Sequence, residues 1–404
     1  MSAPTPGLPK PLHGPSFGSY DRDEVAWLLT DLSRAELEAT TEEREDAVQS
    51  GRAHYAASLP VEYQPSAEYQ QLFQDELASS ASQLARAVGV VMELVLAARG
   101  ENVVLVSLAR AGTPVGVLMR RWARFAHRLD VPHYSCSIVR ARGIDMVALE
   151  YLAAHHRPSD IMFVDGWTGK GAITRELADA VAKANVKLGL PEGERFAPDL
   201  AVLADTGRCV EIYGTREDCL VPSACLNSTV SGLVSRTVLN DDLIGPGQFH
   251  GAKFYSHLAG VDVSGQFLDA VTAKFPNVAD AVARDWPATR SADRSPTWAG
   301  WRVAQAISRE YGIGDINLVK PGVGETTRVL LRRVPWKILI RPDAARDLRH
   351  IRMLAEQRGV GIEIVDNLPY RCVGLIQPRR RTNAPTVEGG AGEYEAAGRR
   401  TCRQ

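Results

Sequence analysis

The chain has 404 residues, 24% charged and 45% hydrophobic, with a formal net charge of −1. That length allows two or three domains with at least one large core, and the charge balance leaves only local basic patches for any contact with nucleic acid. No apolar run reads as a membrane span, the first fifteen residues lack a signal-peptide core, and none of the six cysteines forms a C-x-x-C pair, so a reduced cytoplasmic protein without a disulfide framework is expected.

Residues 1–20 are rich in Pro and Gly and are expected to be flexible. Residues 21–284 are expected to form one α/β domain whose first part, 21–100, is helical. The helices there are 21–32, 41–50 and a long one that Ser66 caps and that runs to about Gly100. From 103 the pattern alternates: strands at 103–107, 134–139, 161–165 and 199–204, helices at 113–127, 147–155 and 172–187. Such alternation predicts a parallel sheet covered by helices, with ligands at the carboxyl ends of the strands. Residues 206–260 are small and polar, and 285–297 read as a linker. Residues 298–377 offer three helices and three strands, a small α/β/α sandwich. The basic, then Gly/Glu/Ala-rich tail, 378–404, is expected to be disordered.

Two Gly-rich turns end strands of the expected sheet. In one, Asp165 ends an apolar strand and Thr168, Gly169, Lys170 and Gly171 precede a helix. Backbone N–H groups of such a turn point at a phosphate, with Lys170 and Thr168 adding contacts. Asp165 then meets hydroxyls or a metal beside that phosphate, and ribose 5-phosphate fits both halves. In the other turn, Ala109, Arg110, Ala111, Gly112 and Thr113 precede Pro114, which suits a first helical turn. Arg140 and Arg142 follow the strand between them. A single Gly-rich turn after a strand is common; two sharing one sheet edge are more specific.

Together these segments resemble the type I phosphoribosyltransferases. The resemblance implies that family's parallel sheet and a phosphoribosyl pyrophosphate substrate carried with Mg²⁺. It implies transfer of the phosphoribosyl group to a base or base-like acceptor. Asp165 would meet the ribose hydroxyls and the Mg²⁺-bound ligand, Ala109 to Gly112 the pyrophosphate, and Thr168 to Gly171 the 5-phosphate. Arg140 or Arg142 would shield the leaving group. The chain departs from the family where Gly166 replaces a second acid.

A closer resemblance rests on Leu108 to Pro114, Val164 to Gly171 and Ser231 to Thr237. These look like a bacterial family linked with tellurite-resistance and stress gene clusters, also known as StiP, over about residues 25–377. The likeness implies a phosphoribosyltransferase-like domain in a nucleoside-like metabolite pathway and a C-terminal Pelota-like RNA-binding domain. The family also carries a cysteine-protease label.

That label draws attention to Cys225, which His250, Asp262 and Ser264 follow: a thiol, an imidazole and an acid are the parts of a cysteine nucleophile system. Free cysteines are equally at home in cores. Ser223, Asn227, Ser231 and Arg236 of the same segment offer donors for a substrate pocket, or simply satisfy a loop backbone. In the last block, a Gly-rich turn opens a helix through Lys320, Gly322, Gly324, Glu325, Thr326, Arg328 and Arg332, which suits an RNA backbone. It resembles the Gly-x-x-Glu-x-x-Arg/Lys region of the Pelota and kink-turn-binding ribosomal-protein module. A homo-oligomer is compatible with the sequence, and a non-catalytic nucleotide- and RNA-binding regulator is the third class of function.

Overall fold

The computed structural model describes residues 7–50, 54, 56–62, 65–219, 224–344 and 348–378. The first module is a six-stranded sheet of β1 (Ala26–Leu28), β2 (Val104–Leu108), β3 (His133–Cys136), β4 (Ile161–Trp167), β5 (Leu200–Ala204) and β6 (Ile212–Thr215). Its order is β1-β3-β2-β4-β5-β6 and every pairing is parallel. β2 and β4 are neighbours, Ser107 beside Val164, while the chain leaves β2 toward β3 and returns on the other side at β4. The direction of winding therefore switches between the ends of these two strands.

Side-chain alternation along the strands divides the core into two layers. Leu105, Met162, Val164, Ala201 and Leu203 face one cluster. After the short helix α1 (Thr41–Gln49), this cluster takes in α2 (Ala67–Arg99), α3 (Gly112–His127), α6 (Ser264–Thr272) and α7 (Phe275–Ser291). Val104, Val106, Ile161, Phe163 and Val202 face the other, with α4 (Met146–His155) and α5 (Ala172–Lys187). Burial on both faces explains why these strands read as unbroken apolar runs.

α2 begins where the Ser66 hydroxyl accepts from Tyr69 N at 3.2 Å. By length and composition it passes for a membrane span, contrary to the reading that no stretch does. Its most apolar window is 61% buried, packed on α3 and α7. It serves here as the core helix of the first module.

Residues 21–32 are not a helix: Trp27 pairs with Ser135, and Thr30–Asp31 pairs with Gly251–Ala252. Ladder bonds from distant strands outweigh the local helical pattern. Residues 12–20 are also tied down, by Leu12 and Trp27 exchanging backbone bonds at 2.8 Å and by buried Phe17 and Tyr20. The expected linker begins late, because α7 continues through Pro287 to Ser291.

The second module is a four-stranded sheet in the order β7-β10-β8-β9, from β7 (Val319–Pro321), β8 (Pro335–Ile340), β9 (Gly361–Ile364) and β10 (Cys372–Ile376). α8 (Ala299–Glu310) covers one face. α9 (Val323–Arg332) and α10 (Arg349–Gln357) cover the other. The apolar residues of that second face, including Val323, Leu330, Ile338 and Ile351, join the cluster of the first sheet. The two modules thus share one continuous core.

Candidate functional site

The carboxyl ends of β2 and β4 open into a cleft of about 690 Å³ that both modules line. Close packing builds its floor. Gly112 opens α3 against β4, where a Cβ would overlap the Val164 carbonyl oxygen. Gly166 lies against Ala111. Arg44, Arg140, Arg236, Lys320, Arg328, Arg332 and Arg333 line the walls, together with Asp165, Trp167 and Glu325. Cations outnumber acids there, so the local field is positive although the whole chain is nearly neutral.

Asp165 accepts from Gly166 N at 2.7 Å. Burial pushes its carboxyl up to about 6, against a downward pull from that bond and from Arg328. Trp167 presents its ring to the Arg328 guanidinium at 4.3 Å, a cation–π contact. Burial works to raise the carboxyl of Glu325, but Lys320, Arg328 and Lys170 together hold it down to about 2.

Several residues expected to hold phosphate are committed elsewhere. The Thr168 hydroxyl donates to Asp205 Oδ1 at 2.6 Å and accepts from Gly207 N at 3.1 Å. Lys170 is buried, and its Nζ donates to the Ile316 and Val319 carbonyls of the second module at 2.5 and 3.0 Å. Burial lowers its ammonium to about 6. The Gly169 carbonyl accepts from Tyr370 at 3.0 Å. Gly171, at φ +76°, packs under Trp298 and Cys209. The second Gly-rich turn therefore serves mainly as a docking surface for the second module.

The first turn is similarly tied. Buried Arg110 donates to the Val234 carbonyl at 3.0 Å and faces Glu62 at 3.7 Å. The Thr113 hydroxyl bonds Ser135 at 2.8 Å. Of this turn, Ala111 reaches the cleft. Exposed Arg140 does so as well; exposed Arg142 stands beyond the lining residues.

The 224–237 segment is an internal brace. Asn227 accepts from Arg332 through Oδ1 and from the Ser231 hydroxyl through its carbonyl. Ser228 donates twice to Glu62 at 2.7 Å. Arg236 lines the cleft and donates to the Ser58 carbonyl at 2.6 Å. Ser223 lies outside the described residues.

Cys225 and His250 do not meet as a nucleophile and its base. Cys225 is buried in the first core layer, where burial pushes its thiol up to about 12 and its electrostatic neighbours are Glu76 and Tyr69. His250 bonds Ser137 at 2.8 Å through Nδ1 and gives its backbone N–H to Asp145 at 2.6 Å. Burial lowers the imidazole, and Asp145 pulls it back. The other described cysteines follow the same trend. Burial raises Cys209 to about 12, Cys219 to about 11, and Cys136 and Cys372 further still. An activated thiol needs the opposite environment.

In the second module, Gly322, Gly324 and Thr326 are buried. Gly324 meets the Trp167 ring and Thr326 packs within its own module, while Lys320 and Arg328 flank Glu325 at 3.6 and 3.3 Å. The turn expected to touch RNA thus faces the first module. Among the described residues, no group of three or more His, Cys, Asp or Glu side chains gathers as a metal site. Sequence reasoning missed Trp167 as a cleft residue and Asp218 as a link between modules. Trp167, two positions beyond Asp165 on one strand face, was legible from strand periodicity; Asp218 gave no such signal.

A family model described as "Tellurite-like stress resistance cysteine protease StiP" matches residues 18–272. A curated protein of Acinetobacter baylyi, "Cysteine protease StiP", is 34% identical over 374 residues, which is 89% of this chain and 94% of that protein. The chain belongs to the StiP family. A second model, the PELOTA RNA binding domain, matches residues 298–378. No solved structure matches the chain. For this StiP-family chain the expectation of a phosphoribosyltransferase acting on phosphoribosyl pyrophosphate is corrected: both the family description and the relative's name are those of a cysteine protease. The internal commitments of Thr168 and Lys170 fit that correction.

Proposed function

We propose that the chain is a hydrolase of the cysteine-peptidase class for which its Acinetobacter relative is named, resting in a low-activity state, with an RNA-type polyanion as ligand of the cleft. What supports the chemistry is the family match, with a 34% identical relative aligned across both modules. What supports the ligand is the cleft itself. Arg140 and Arg236 of the first module and Lys320, Arg328 and Arg332 of the second line it, Arg328 lies over the Trp167 ring, and the second module matches an RNA-binding domain. Cations track a phosphate backbone while an aromatic ring stacks a base. What supports a resting state is the surroundings of the described thiols, which burial holds in the neutral form.

The test is hydrolysis of fluorogenic casein by the full chain, with and without added RNA, before and after iodoacetamide. Hydrolysis that RNA increases and alkylation abolishes supports the proposal, and single cysteine variants then identify the nucleophile. With the thiol of Cys225 neutral and His250 bonded elsewhere, Cys225→Ala is expected to leave any such activity in place. Absence of hydrolysis under every condition overturns the peptidase reading.

A second reading, a non-catalytic RNA-binding regulator, is favoured by the separate surroundings of Cys225 and His250. It predicts salt-dependent RNA binding with no turnover.

A further inference from the structure

We propose that the cleft cuts the RNA it binds: Asp165 takes the proton of a ribose 2′-hydroxyl, which then attacks the neighbouring phosphodiester. The inference rests on the reading of the cleft as an RNA site and adds to it a reaction that uses no thiol.

Two groups in the cleft have hydrogen-bonding capacity left over. Asp165 accepts from Gly166 N through Oδ1, and among the described residues nothing donates to its Oδ2. Arg328 donates through Nη1 to Glu325 at 3.3 Å, and among the same residues its Nε–H has no acceptor. Both side chains line the cleft and flank Trp167. Asp165 lies two positions before that ring on β4, and the Arg328 guanidinium rests over it at 4.3 Å. Asp165 feels the charge of Arg328, yet no hydrogen bond joins them. A ligand that satisfies both presents a hydroxyl beside an anionic oxygen. RNA has that pair at every link, the 2′-hydroxyl next to the 3′-phosphate, and DNA lacks it.

The surroundings of Asp165 also suit proton transfer. Its hydrogen bond goes to the next residue, so the carboxyl ties no two elements together. The charged groups facing it are Arg328 and Glu325 of α9, while the start of α3 brings the uncharged Ala111 and Gly112. Burial raises the Asp165 carboxyl to about 6. Burial works to raise Glu325 too, but Lys320 and Arg328 hold it down to about 2. Of the two acids, Asp165 is therefore the one that exchanges a proton near neutral pH.

In the reaction, Asp165 Oδ2 takes the proton as the 2′-oxygen bonds to phosphorus. The bond from phosphorus to the 5′-oxygen breaks, and that oxygen takes a proton from water. Arg328 stabilises the charge that builds on the phosphoryl oxygens. The products are a 2′,3′-cyclic phosphate and a 5′-hydroxyl, and Asp165 returns its proton to solvent. Attack requires the 2′-oxygen in line with the leaving oxygen, which a flexible single strand allows and a helical one does not. A cleft of about 690 Å³ takes a nucleotide or two of single strand rather than a duplex.

The test is incubation of a fluorescently labelled single-stranded RNA of mixed sequence with the full chain in EDTA. Gel electrophoresis follows cleavage, mass spectrometry reads the new ends, and anisotropy follows binding. Wild type should release fragments ending in 2′,3′-cyclic phosphate and leave a DNA strand of the same sequence uncut. Asp165→Asn, purified identically, should bind the RNA as wild type does and cut it at least about a hundredfold more slowly. Wild type that binds without cutting, or Asp165→Asn that cuts as fast, overturns the reaction while the RNA reading stands. Fragments ending in a 3′-hydroxyl show attack by water and overturn it as well. Failure of every form to bind removes the RNA reading itself. Should Asp165→Asn show no cooperative unfolding, Arg328→Lys decides. It keeps the charge and loses the Nε–H, and should slow cleavage about a hundredfold while RNA is still bound; cleavage at the wild-type rate overturns the reaction.

Discussion

Asp165 holds a proton in the folded chain to about pH 6, against 3.8 for an ordinary aspartate. A carboxyl raised in this way favours folding while it is protonated. Stability is lost as pH rises from about 4 through 6, and the full penalty, about 3 kcal/mol, is present above that window. Asp165→Asn keeps an acceptor for Gly166 N and removes the penalty. Urea unfolding should find this variant more stable than wild type at pH 7.5 and nearly equal at pH 4. A difference unchanged by pH would show that burial does not govern this carboxyl. Asp165 was legible in the sequence as an acid closing an apolar strand. Thr168 and Lys170 were legible only as donors: composition shows that a hydroxyl and an ammonium stand near a turn, not that Asp205 and the Ile316 carbonyl reach them first. Cys225 shows the same limit, since nothing in its flanking residues reveals that α2 covers it.

Gly112 fixes where α3 leaves the sheet, since its missing side chain lets the helix start rest on the Val164 carbonyl. Gly112→Ala should cost about 1–3 kcal/mol, as overpacking of a tight contact does, and should disturb the cleft through Ala111. Thermal unfolding gives the cost; an unchanged midpoint would mean that β4 yields easily. At this scale the reading of β2 through β5 matched the structure, because strands buried on both faces leave continuous apolar runs between helical stretches. Where one partner strand decides the outcome, the reading failed. β1 is a strand because β3 lies beside it, and its three residues carry no periodic signal. β6 and β10 were missed because Gly214 and Gly374 interrupt their apolar patterns. Both glycines are close-packed positions, Gly214 against Ala87 and Gly374 against α9.

The two modules grip each other at several points besides the Asp218 contact. Arg175, at the start of α5, lies over Trp301 at 3.7 Å and over Trp298 at 5.3 Å. Trp298 N donates to the Arg208 carbonyl and Gly300 N to the Gly207 carbonyl, at 2.9 and 3.0 Å. The sequence suggested separable units at this scale, because a charged, Pro-containing stretch reads as a connector. The continuous apolar cluster through α9 and α10 makes them one body. Lys170 carries the consequence furthest. Its amino group has the carbonyls of Ile316 and Val319 as acceptors, so the first module depends on the backbone of the second to satisfy a buried donor. A gene divided between positions 291 and 298 should therefore yield two fragments that precipitate when made alone and reassemble when made together. Recovery of the untagged half on a tag carried by the other would report that complementation; a well-behaved first half on its own would show the dependence to be dispensable.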